Sequence, residues 1–231
     1  MRPKITLLFA FVLAIALHGY AAAQAPASQP THTVKINFNQ RVRMRDGKRI
    51  LIDPWVMGNP ACPEELKDPG PLDAILITHA HPDHYGLLHV IQDRSHATVY
   101  FPEREIWRVK DQQMMFEVGR LLMEAGMPLE LLFKMDQQRK NEPRPKMKHD
   151  EVIPIKGGET FDVTIEGETL TLETHHMPGH TGGHVVYWEP QTRTMFAGDQ
   201  LLPKTSPNPL LEPSLDDPEE RRRSLKDYLS S

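Results

Sequence analysis

Cysteine is nearly missing from this chain of 231 residues: Cys62 stands alone. A single thiol excludes an internal disulfide, so stability has to come from packing or from bound metal. Cys62 sits in the Pro-rich stretch Asn59-Pro60-Ala61-Cys62-Pro63, far in sequence from any histidine cluster, and reads as an incidental free thiol. Net charge is small as well. The formal balance of −4 gives no electrostatic reason to expect nucleic acid as a partner. After Leu17 there is no apolar run approaching the roughly 20 residues that cross a bilayer. Internal repeats are missing too, which sets repeat architectures aside.

What is present begins with a leader. Arg2 and Lys4 make a basic start, Ile5 to Leu17 is almost unbroken apolar sequence, and Ala21-Ala22-Ala23 offers the small residues of a cleavage site. The expected organisation is a signal peptide over 1–23, a Pro/Ala/Ser linker over 24–32 and one domain over 33–231. The mature product is expected to be periplasmic or secreted, with no stable membrane association after cleavage.

Strand character occurs at Val34 to Val42 and Lys48 to Asp53, joined around the Asp46-Gly47 turn signal. Pro54 to Pro71 reads as loop. Ala74 to Thr78 is apolar on both faces, as a buried strand is, and runs directly into histidines. A short helix is expected over Tyr85 to Gln92 and a strand over Ala97 to Phe101. From about 103 to 140 the spacing becomes helical, with Gly126 ending one helix and Pro128 opening the next. Its methionines (Met114, Met115, Met123, Met127, Met135) suit either packing against a sheet or an adaptable apolar pocket. Five further strands follow between Val152 and Ala197, and a last helix is expected from Pro218 to about Leu229, with the charged run Glu219 to Arg223 as its solvated face. Patterning alone implies a mixed α/β sandwich of two sheets with helices outside.

The decisive segment is Thr78-His79-Ala80-His81-Pro82-Asp83-His84. On a turn leaving a strand end, side chains at alternate positions converge, so His79 and His81 can hold one ion while Asp83 and His84 turn towards a second. Imidazole and carboxylate are the ligand types that divalent metals of hard to borderline character prefer. His-x-His-x-Asp-His resembles the signature of the metallo-β-lactamase superfamily. The resemblance continues in order through Ile50-Leu51-Ile52-Asp53-Pro54, Pro178-Gly179-His180-Thr181-Gly182-Gly183-His184 and Phe196-Ala197-Gly198-Asp199.

The resemblance implies a four-layer αββα sandwich with a helical-pair insertion at about 103–140. It also implies a site in which His79, His81 and His180 hold one metal, Asp83 and His84 a second, and Asp199 bridges. Two divalent ions, zinc foremost, with iron and manganese left open, would supply a metal-bound hydroxide for an ester-, thioester- or lactone-like small-molecule substrate. Asp83 would orient this nucleophile as the catalytic carboxylate. His184 is expected to be structural, and His175 and His176 to form site wall or packing. The chain departs from the family in having no histidine after Asp199, where members usually carry one more ligand, and so resembles one shortened at its C-terminal end. Asp at position 199 is similar to thioesterase-like and glyoxalase II-like members, whereas antibiotic-cleaving branches generally place Cys or Ser there. Two other readings stand beside the hydrolase: a degenerate, truncated metal-binding member without catalysis, and a β-lactamase. An iron oxidoreductase on the same fold is a further alternative.

Overall fold

The computed structural model describes residues 40–43, 49–54, 72–86, 88–110, 112–141, 152–165, 168–202, 204–217 and 220–231. The expected leader and linker, the Asp46-Gly47 and Glu166-Gly167 turns, the 55–71 loop with Cys62, and both His32 and His149 lie outside the described residues. Among the described residues there are nine strands: β1 (Gln40–Arg43), β2 (Arg49–Ile52), β3 (Ala74–Leu76), β4 (Thr98–Pro102), β5 (Val152–Ile155), β6 (Thr160–Ile165), β7 (Glu168–His176), β8 (Val185–Glu189) and β9 (Thr194–Phe196). The α-helices are α1 (Pro82–Tyr85), α2 (Leu88–Ser95), α3 (Ile106–Lys110), α4 (Gln112–Glu124), α5 (Leu129–Asn141) and α6 (Ser224–Ser230).

The strands form one hydrogen-bonded ladder in the order β5-β4-β3-β2-β1-β6-β7-β8-β9. β2 to β5 run parallel, and every other pairing is antiparallel. The two expected sheets are therefore joined: among the described residues β1 pairs with β2 over four residues and reaches β6 through Arg43 and Thr164. Alternation of side chains across β2 and β3 assigns the two cores. Leu51, Ile75 and Ile77 face Tyr85, Leu88 and Ile91 of the helical layer. Ile50, Ile52 and Leu76 point the other way and pack on Leu172, Val185, Tyr187 and Phe196 from the second half of the ladder. The ladder thus packs against itself as a sandwich. Ile75, Leu76 and Ile77 are wholly buried, each worth about 1.5–3 kcal/mol of transfer free energy.

Helix α4 ends as the glycine predicts. Gly126 takes φ +92°, its N–H reaches Met123 O, and Met127 N–H reaches Leu122 O, which satisfies the carbonyls of the last turn. Of the methionines, Met123 and Met135 do not settle into the sheet and are exposed together with Phe116, Leu129 and Phe133, while Leu121 is buried. The last helix is shorter than expected and begins at Ser224, not Pro218. Arg221 instead bridges to Pro213 in extended conformation, so the described residues Glu220 to Arg223 precede the helix; Glu220, Arg221 and Arg223 are exposed as expected, but the side chain of Arg222 is only 8% exposed.

The sandwich brings two rims together. The carboxyl ends of parallel β2 and β3 lie side by side, and β7 and β9 end beside the start of antiparallel β8. Val185 N–H donates to Thr78 O at 2.9 Å, and the Tyr187 hydroxyl donates to Ile77 O at 2.8 Å. These bonds hold the second half of the ladder against the end of β3, where an open crevice at strand ends is the usual place for a site in α/β architecture.

Candidate metal centre

β3 ends at Leu76, and Thr78 to His81 form the turn before α1. His79 and His81 therefore project from the strand end, and Pro82 at the first helical turn fixes the reversal that places Asp83 and His84. His180 comes from the loop between β7 and β8, and Asp199 from the 3-10 turn Gly198–Gln200 that follows β9. Gly198 has φ +49°, and a Cβ there would come within 3.0 Å of His184 Nε2 and press on Thr78 as well, so that turn requires glycine.

Two groups of ligand atoms result, each lying within 4.8 Å of one another: His79, His81, His180 and Asp199, and then Asp83, His84 and Asp199. All six residues expected from sequence meet, with Asp199 common to both groups. His81 Nδ1 lies 3.0 Å from His79 Nε2 and 3.0 Å from His180 Nε2. Asp199 reaches His84 Nε2 at 3.3 Å with one oxygen and His180 Nε2 at 3.5 Å with the other. The second group is looser. Asp83 Oδ2 stands 4.0 Å from His84 Nε2, and the Asp83 side chain is 46% exposed.

Hydrogen bonds on the far side of the rings decide where their lone pairs point. His180 Nδ1 must donate to Asn208 O at 2.8 Å, because a carbonyl only accepts, and this leaves Nε2 unprotonated. The Thr78 hydroxyl donates to Asp53 Oδ2 at 2.7 Å, so at 3.1 Å it accepts from His79 Nδ1, leaving His79 Nε2 free to ligate. His79 Nε2 and His180 Nε2 both aim a lone pair at His81 Nδ1, whose single proton can bond only one of them well, whereas a cation between the three nitrogens would satisfy all three. Atoms 2.0–2.1 Å from a tetrahedral ion stand about 3.3 Å apart, close to the spacing seen. The donor set therefore fits a divalent metal, which could be held by His79, His81, His180 and Asp199, with a second at Asp83, His84 and Asp199.

Asp53 is the residue whose role sequence reasoning missed, although it stood in the strand-end segment of the resemblance. It adopts φ +51°, a left-handed conformation that Asp tolerates, and accepts from Thr78 N–H at 2.8 Å, from the Thr78 hydroxyl and from His84 Nδ1 at 3.0 Å. One carboxylate thereby orients His79 through Thr78 and His84 directly, as carboxylates do behind metal-binding imidazoles. Of the remaining histidines, His184 is fully buried and stacked on His79 at 4.8 Å, which agrees with a structural role. His175 pairs with Glu173 on the surface, and His176 Nε2 bonds Gly182 O at 3.0 Å, so neither enters the cluster.

Burial dominates the electrostatics of the first group. It pushes the pKa of His79 and His180 down and that of His81 to about 2, with Arg108 and His180 adding to the push on His81. Burial also acts downward on His84, but the Asp53 and Asp199 carboxylates outweigh it and raise the value to about 10. In the metal-free chain the first trio is thus neutral at pH 7 while His84 carries a proton. A raised value stabilises the fold below the unfolded pKa of about 6.5, and this contribution is lost as pH rises towards 10. Proton and cation compete for His84 Nε2, so occupancy of the second group is expected to strengthen about tenfold per pH unit from pH 6.5 towards 9. The first group is expected to fill without proton release over that range. Titration calorimetry in buffers of different ionisation enthalpy counts the protons. Release on filling the first group, or none on filling the second, contradicts this assignment.

The chain is similar to several known proteins. Over 199 residues the chain is 35% identical to a UPF0173 metal-dependent hydrolase of Polynucleobacter asymbioticus, an alignment covering 82% of this chain and 65% of the relative. A UPF0173 metal-dependent hydrolase of Koribacter versatilis is 48% identical over 71 residues, 30% of either chain. The crystal structure of a metallo-beta-lactamase family protein from Thermus thermophilus superposes with a TM-score of 0.59 at 25% identity, covering 82% of this chain and 61% of that one. The chain thus spans less than two thirds of the length of each of these proteins. The family model for the metallo-beta-lactamase superfamily matches residues 41–230, a stretch that includes every residue of both ligand groups, and the chain belongs to that superfamily.

Proposed function

We propose that this chain is an exported metal-dependent hydrolase that opens an ester-, thioester- or lactone-like bond in a small molecule. The observation that carries this reading is the convergence of His79 Nε2, His81 Nδ1 and His180 Nε2 at 3.0 Å spacings, with Asp199 reaching from that trio to His84. Two divalent cations, held by His79, His81, His180 and Asp199 and by Asp83, His84 and Asp199, would supply a water of lowered pKa and stabilise negative charge developing on a carbonyl oxygen. Zinc is the ion proposed, since imidazole with carboxylate is its usual ligand set. The protein's own contribution is orientation. Asp53 and Asn208 fix the tautomers, Asp199 spans both groups, and half-exposed Asp83 stands at the solvent side, where its carboxylate can accept a proton and align the attacking water.

Aspartate at position 199 supports a thioesterase-like substrate over a β-lactam, by the resemblance to members with that residue. The basic, apolar and small-residue order of residues 1–23 supports export to the periplasm or beyond. Metal analysis of the purified chain is expected to find close to two ions, the second bound more weakly because Asp83 is distant and exposed. A chain with no bound metal sinks the reading. That same loose second trio favours one alternative, a one-metal binding protein. One tight ion, with no turnover of thioester, lactone, phosphodiester or β-lactam substrates, would replace the hydrolase by that alternative.

A further inference from the structure

Four charged side chains are withdrawn from solvent behind the first histidine trio. Glu105 and Glu212 are buried, as are the side chains of Arg108 and Arg222. Arg108 Nε lies 3.0 Å from Glu105 Oε2, Arg108 also pairs with Glu212 Oε1, and Arg222 Nε lies 3.5 Å from Glu212 Oε2. Burying four charges is costly, and apolar residues of the same volume often stabilise a core as well or better. Packing alone therefore does not account for them.

Their remaining bonds show what the arrangement grips. Glu105 accepts from Ala80 N–H at 3.2 Å with one oxygen and from Gly183 N–H at 2.7 Å with the other. Glu212 accepts from Gly182 N–H at 3.0 Å, and Arg222 donates to Gly179 O at 2.8 Å. Ala80 is the residue between His79 and His81, while Gly179, Gly182 and Gly183 flank His180. A Cβ on Gly183 would come within 2.8 Å of Glu105 Oε1, so the close approach depends on that glycine. Both peptide segments that carry the first trio are thus tied to one ionic network. His84 rests on Asp53 instead.

We propose that Glu105, Arg108, Glu212 and Arg222 are positioning residues that set the geometry, and hence the affinity, of the first cation site while leaving the second unaffected. This rests on reading His79, His81 and His180 as ligands. The test is a zinc titration of the full chain against a chromophoric chelator, with His81→Ala identifying which isotherm belongs to the first site. The double variant Glu212→Met/Arg222→Met removes one charge of each sign and leaves Glu105 paired with Arg108. It is expected to weaken the first site about 10–100-fold, as loss of a ligand's supporting partner does. The second site should stay within about threefold.

Equal weakening of both sites, or none in a variant whose unfolding midpoint matches the parent, overturns the proposal. Should the double variant fail to fold, Arg222→Lys decides by the same criterion, because it keeps the charge opposite Glu212 but loses the planar fork to Gly179. A parent chain that binds no zinc sinks the ligand reading and the brace together. A parent that binds zinc with variants unchanged sinks the brace alone.

Discussion

His81→Ala is expected to empty the first cation site and to lower hydrolysis by at least about 100-fold, more than the 10–100-fold usual for losing a partner of a ligand. His81 Nδ1 is the shared vertex of the trio, 3.0 Å from both His79 Nε2 and His180 Nε2. Removing it leaves two nitrogens and Asp199, which the second group shares, so the first ion would lose one of its three imidazole ligands. The fold should survive, because His81 belongs to neither apolar cluster and stands on a turn. Metal content by atomic spectrometry, read beside the circular dichroism spectrum, separates the outcomes. A variant that keeps both ions with native activity would show that His81 is not a ligand.

Asp53→Asn should weaken both cation sites at once, by about 10–100-fold each. It should also cost the metal-free chain up to about 3–5 kcal/mol, since the buried His84 imidazolium loses one of its two close carboxylate partners and keeps Asp199. The Asp53 carboxylate accepts three hydrogen bonds, two from Thr78 and one from His84, and is itself almost wholly buried. An amide of the same shape turns a donor towards at least one of those donors. Asparagine tolerates the left-handed φ of +51° as aspartate does, so backbone strain does not contribute. Urea unfolding of the metal-free variant measures the stability loss, and zinc competition measures the loss of affinity. Loss confined to the second site would mean that Thr78 does not transmit the orientation of Asp53 to His79.

The local part of the site can be read directly from residue spacing. His79, His81, Asp83 and His84 fall within six residues after a strand apolar on both faces, and one turn suffices to aim them. His180 and Asp199 are reached by resemblance, and no local pattern connects them to that turn. The helix pair is legible for the same reason as the turn: Gly126 and Pro128 act on their own neighbours. Within the charged run only Arg222 misleads among the described residues, because charge near a helix usually faces water. Whether Arg222 is solvated depends on Glu212 and Gly179, neither of which is a sequence neighbour on any helical face.

By itself, then, the sequence determined the alternation that buries both faces of β2 and β3, the turn at Gly126 and the chemical types of the four candidate ligands from His79 to His84. All of these follow from forces acting between residues a few positions apart. Only the tertiary structure decided that β1 joins two sheets into one ladder, that Asp53 orients histidines of both groups, and that four buried charges hold the loops. Those outcomes arise because each buried donor and acceptor must find a partner in space, and for Ala80, Gly182 and Gly183 that partner lies 25 to 78 residues away along the chain.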